Sequence, residues 1–91
     1  MRAARIDRNH AEIVAALRQI GCSVQSLASL GRGCPDLLVG SHGRNVLLEV
    51  KADKGLLRAV QAVWRSNWRG NIAVVRTVDE AIAAVRREAT A

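Results

Sequence analysis

Pro35-Asp36-Leu37-Leu38-Val39-Gly40, the link Ser41-His42-Gly43-Arg44-Asn45 and then Val46-Leu47-Leu48-Glu49-Val50-Lys51 decide how this chain folds. The two outer runs are short, aliphatic and partly β-branched, which predicts buried strands. The turn-rich link between them predicts a hairpin that lays the two runs side by side. Residues two apart in a strand project to the same face, so Glu49 and Lys51 point together. Asp36, thirteen residues before Glu49, opens the first run. Three ionisable groups on otherwise apolar strands are costly unless they have partners or a task.

Two strand-borne carboxylates that converge suit a hard cation. Mg²⁺ prefers oxygen ligands and is commonly held by one or two carboxylates plus substrate phosphate. Such an ion would neutralise charge on a scissile phosphate and acidify a bound water. Lys51, desolvated beside that water, could orient or deprotonate it and stabilise developing negative charge. The plainer reading makes Glu49 and Lys51 a local salt bridge and Asp36 a turn cap. Spacing alone leaves both readings open.

The remaining elements follow from periodicity. Ile6, Ile13, Val14, Leu17 and Ile20 fall on one helical stripe from Asp7 to Ile20, and Gly21 is a natural terminator. His10 falls on that inward stripe, Asn9 on its flank and Glu12 toward solvent, so His10 or Asn9 is the helix's contribution to a site near the sheet. Cys22 to Leu27 alternates as a half-exposed first strand would. A helix from Leu56 to Trp68 carries Leu57, Val60, Trp64 and Trp68 at helical spacing, with both tryptophans expected as core anchors first and base stacking as the alternative. Asn71 to Arg76 reads as a fourth strand. Thr77 with Glu80 three residues on forms a capping box for a last helix that buries Ala81, Ile82 and Val85. The predicted order is α-β-β-β-α-β-α, an α/β domain with a mixed sheet flanked by helices. It is a single unit over residues 1–91 with its core at about 7–88 and only the last few residues frayed.

Composition narrows the partners. Fourteen Lys and Arg against eight Asp and Glu give a net charge of +6. That balance favours a polyanion, since each phosphate neutralised releases counterions. A basic structural protein, or arginine usage set by genome composition, is the competing explanation. No run of eighteen apolar residues predicts a membrane span, and Met1 to Arg8 lacks a hydrophobic signal core, so a cytosolic chain is expected. Cys22 and Cys34 lack zinc-site spacing and are expected as free thiols. Gly31-Arg32-Gly33 lacks the ending of a phosphate-cradling loop and reads as a turn that lets backbone approach the site or DNA, with Arg32 beside it as a phosphate contact. Nothing calls for an organic cofactor.

Gly31 to Gly40 followed by Leu47 to Lys51 resembles the PD-(D/E)-x-K nuclease superfamily. Within it, the chain is similar to the small stand-alone VRR-NUC (virus-type replication-repair nuclease) domains of phages and bacteria. Asn9 to Val14 leading into Gly21, Gln61 with Trp64 and Trp68-Arg69-Gly70, and Val74 to Ala81 extend the likeness from about residue 7 to 85 in one consistent order. The resemblance implies a restriction-endonuclease-like core and metal-dependent DNA endonuclease activity on branched or structured DNA in phage or bacterial replication and repair. It implies a catalytic set of Asp36, Glu49, Lys51 and Gln61, with Mg²⁺, or Mn²⁺ as substitute, on Asp36, Glu49 and the Val50 carbonyl. Arg32, Arg44, Lys54 and Arg58 are the expected DNA contacts, and a homodimer the expected assembly. Two features depart from the pattern. His10 stands where relatives place Glu or Gln, which makes it a candidate ligand poorly suited to Mg²⁺. Ala52 to Leu56 is shorter than the loop many relatives carry. Both departures fit the alternative of a non-catalytic nucleic-acid-binding module on the same fold; the intact Asp36, Glu49 and Lys51 oppose it.

Overall fold

The computed structural model describes residues 8–87. Ile6 and Asp7, placed on the first helix by its apolar stripe, and the C-terminal end from residue 88, expected to fray, lie outside the described residues. The chain runs α1 (Arg8–Gln19), β1 (Ser23–Ser26), a 3-10 turn (Ala28–Leu30), β2 (Leu37–Ser41), β3 (Arg44–Val50), α2 (Ala59–Asn67), β4 (Ile72–Val75) and α3 (Val78–Arg86). The order agrees with the expectation from periodicity. The 3-10 turn is an addition that the sequence did not announce.

Helix α1 stops where glycine permits. Gly21 takes φ 98°, its N–H donates to the Arg18 carbonyl, and the Cys22 N–H reaches back to Leu17 in a Schellman-type ending. The chain turns off before Ile20 can bury, leaving it 40 % exposed rather than on the core stripe. The hairpin link is tighter than its five residues suggest. Ser41 and Arg44 already pair, so only His42 and Gly43 turn, with φ of 52° and 79°. Two successive positive φ values match the type I′ geometry that follows strand twist.

The sheet order is β1-β2-β3-β4, antiparallel except for the parallel β3–β4 pair, which α2 connects. One face carries the core. Leu37, Val39, Leu48 and Val50 of the sheet pack with Ile13 and Leu17 of α1 and with Ala81 and Val85 of α3. Such a core of branched aliphatics needs no aromatic residue. At α3, Thr77 accepts the Glu80 N–H at 3.0 Å as predicted, whereas the Glu80 carboxylate reaches one residue further back, to the Arg76 N–H.

The opposite face is covered thinly, by α2 and by the segment that carries Leu27, Leu30 and Cys34. The helix begins at Ala59, not Leu56, and Leu56 stands 80 % exposed. Trp64 and Trp68 stack on each other with centroids 4.8 Å apart, and Trp68 is 46 % exposed. Neither tryptophan joins the core, which corrects their expected role as anchors. Beneath them, Leu38 and Leu47 line an open apolar cleft of about 590 Å³ with Leu27, Leu30 and Cys34. No helix among the described residues is long and apolar enough to cross a membrane.

Candidate metal centre

The strand register brings the carboxylates together. Leu37 pairs with Leu48, and one further step sets Asp36 opposite Glu49. Directly opposed residues share a face, and Lys51, two beyond Glu49, shares it as well. That face is the one under α2, so the charged groups lie away from the aliphatic core. Pro35, fully buried, fixes the approach to β2, and the Asp36 carbonyl accepts the Leu27 N–H at 2.7 Å.

Asp36 continues the ladder with its side chain. Its Oδ2 accepts the Val50 N–H at 2.7 Å where β2 has ended. In a strand the N–H and C=O of one residue point to the same edge, so the Val50 carbonyl faces the Asp36 side too. Glu49 is only 4 % exposed. Burial first, then the Asp36 charge and a hydrogen bond to the Asp36 carboxyl, push its pKa up to about 7; Lys51 and Arg58 pull the other way. Two carboxyls set against each other mark a place with more negative charge than its surroundings neutralise.

Gln61 ties the remaining groups. It is buried on the first turn of α2, and its Nε2 donates to Glu49 Oε2 at 3.0 Å. Its Oε1 accepts both Lys51 Nζ, at 2.8 Å, and the Arg58 N–H, at 2.9 Å. Lys51 Nζ stands 3.8 Å from Glu49 Oε2. The lysine is thus held beside the acid pair through an amide, with a looser direct ion pair. Gly33 lets α2 come this close. Its φ is 86°, and a Cβ there would run into the Val60 carbonyl. The approach that this glycine permits is therefore to α2.

The donor set fits a hard divalent cation. Asp36, Glu49 and the Val50 carbonyl are all oxygen donors on one edge, and the carboxyls already crowd each other. His10 does not complete the set. No group of three or more His, Cys, Asp or Glu side chains able to hold a metal exists among the described residues. Helix α1 packs against α3 and β1, and Asn9 is the residue that reaches the site's edge, donating to the Lys51 carbonyl at 2.8 Å. The flank position, not the stripe position, supplies the contact.

The expected DNA contacts divide. Arg58 caps α2 and acts electrostatically on Glu49; Lys54 is exposed in the turn after Lys51; Arg32 lies beside Val60 and Trp64 in a separate groove along α2. Arg44 is at the other end of β3, five residues or roughly 16 Å from Glu49, donating to the Arg87 carbonyl. It does not belong to the carboxylate cluster. Both cysteines are free thiols; burial, Glu49 and Asp36, in that order, raise the Cys34 pKa. Arg76 also reaches the turn after Lys51, donating to the Ala52 and Gly55 carbonyls, a role that an arginine at a strand end does not signal in the sequence. Comparison with protein-family models, with curated proteins and with solved structures finds no match to this chain.

Proposed function

We propose that this α/β domain is a Mg²⁺- or Mn²⁺-dependent DNA endonuclease with a restriction-endonuclease-like core of the PD-(D/E)-x-K type, VRR-NUC branch. The observation that carries the reading is the buried Glu49 set against the half-buried Asp36, with Lys51 held beside the pair by Gln61. An ordinary structural salt bridge needs one acid; the second acid leaves a charge that a divalent cation would balance.

Asp36, Glu49 and the Val50 carbonyl would hold the ion, which supplies charge neutralisation at the phosphate and a more acidic bound water. Lys51 carries its charge to the attacked phosphate, where it stabilises the extra negative charge of the transition state. Gln61 keeps the lysine and Glu49 in fixed register and touches no reacting atom. Arg58 and Lys54, both exposed, would contact flanking phosphates, with Arg32 further along α2. The net charge of +6 supports such a polyanionic ligand.

One site cuts one strand. Two copies related by a two-fold axis would suit duplex or branched DNA, and the exposed Val60, Val63 and Trp68 of α2 beside an open apolar cleft support self-association. Cleavage of a labelled panel of single strand, duplex, flap, nicked duplex and four-way junction tests the proposal. Cutting with Mg²⁺ or Mn²⁺, none in EDTA, and loss in Lys51→Ala are expected. Binding without cutting on every substrate would favour the non-catalytic module.

A further inference from the structure

The segment that leaves β3 after Lys51 is held by side chains from two other elements. Asn9 of α1 donates through Nδ2 to the Lys51 carbonyl at 2.8 Å and to the Arg76 carbonyl at 3.1 Å. Arg76, just past the end of β4, donates through Nη1 to the carbonyls of Ala52, at 2.8 Å, and Gly55, at 2.6 Å. The Gly55 N–H closes the turn on the Ala52 carbonyl at 2.9 Å. Arg76 is itself fixed, since its N–H donates to Glu80 Oε1 at 2.7 Å. Charge-assisted bonds of this kind are roughly twice as strong as neutral ones.

Downstream of the turn, apolar packing holds the chain only weakly, and its other fixed points are the Gln61 amide and the approach of Gly33 to the Val60 carbonyl. Leu56 is 80 % exposed, Val60 44 % and Val63 60 %. Helix α2 begins four residues after Gly55, and its first turn carries Gln61. Where the turn releases the chain therefore decides where the Gln61 amide meets Glu49 and Lys51.

We infer that Arg76, assisted by Asn9, is a positioning residue for the Glu49–Gln61–Lys51 chain, acting through the 52–55 turn. Among the described residues it makes no hydrogen bond to any of those three side chains, and its effect is to set the start of α2. The consequence for cleavage rests on the nuclease reading; the consequence for local order does not.

Residue-resolved amide exchange on the full chain, paired with single-turnover cleavage, tests this in Arg76→Ala, Arg76→Lys and Asn9→Ala. In Arg76→Ala, exchange at Gly55, Arg58, Gln61 and Ala62 should rise at least about tenfold while β2 and the centre of β3 keep wild-type protection. The cleavage rate at saturating DNA should fall on the order of 10- to 100-fold, as for small misplacements of reacting groups, with DNA affinity unchanged. Lysine, which retains a charged donor, should restore part of both. If Arg76→Ala does not fold, Arg76→Lys and Asn9→Ala carry the comparison. Unchanged exchange at those four amides would overturn the inference, as would a uniform rise across the sheet, which marks a purely structural role. Weakened DNA binding with unchanged local exchange would instead make Arg76 a phosphate contact. If wild type cuts no substrate, the nuclease reading falls and the exchange pattern alone decides.

Discussion

Burial first, and the facing Asp36 charge second, favour the protonated form of Glu49 to a higher pH than a solvated glutamate would keep it. The sign of the consequence follows from linkage. The folded state binds this proton up to about pH 7, whereas the ordinary value is 4.5. The metal-free protein should therefore lose stability as pH rises between those values, and keep it below them. Thermal melts in EDTA across that window should show a midpoint that declines as pH rises, and Glu49→Gln should flatten the decline. A cation competes with the same proton, so its affinity should increase as pH rises through 7. At this scale the sequence was informative about Glu49 and Lys51, since two-residue spacing alone puts them on one face. It could not reveal that the Asp36 carboxylate bonds the Val50 N–H, because that depends on strand register. Nor did it choose between Asn9 and His10, whose roles depend on how α1 leans against the sheet.

Helix α2 is the element whose sequence pattern and structure agree least. Leu57, Val60, Trp64 and Trp68 have the spacing of a buried stripe, yet Val60 and Trp68 are largely exposed and the helix starts only at Ala59. The apolar pattern reported a face that the isolated chain leaves partly uncovered. Besides the turn that Arg76 holds at its start, the helix is seated by the Gln61 amide and by Gly33 beneath the Val60 carbonyl. Gly33→Ala should cost about 2 kcal/mol or more through left-handed strain and displacement of that carbonyl. Urea unfolding reads this directly, and wild-type stability in the variant would remove Gly33 from the account. By contrast, α1, the hairpin and α3 were legible because each carries its own stop or start signal, in Gly21, His42-Gly43 and Thr77.

Across the whole molecule, element order and the mixed sheet were readable from alternating strand and helix periods. Sheet order and the side on which α2 lies were not, since both arise from pairing between distant segments. The resulting domain is two-sided, with one face closed by α1 and α3 and the other bearing the carboxylate site next to an apolar cleft. If a second copy covers that cleft, sedimentation velocity should give a dimer. Val63→Glu should then give a folded monomer, because a buried unpaired charge at such an interface costs several kcal/mol. A wild-type monomer at high concentration would refute the assembly without touching the site.

If Asp36 and Glu49 together hold a divalent cation, Mn²⁺ binding followed by water-proton relaxation will detect it. The account predicts one site per chain in wild type, tightening as pH rises through 7, and loss of that site in Asp36→Ala. Equal binding by wild type and Asp36→Ala, or none by wild type at pH 8, would contradict it.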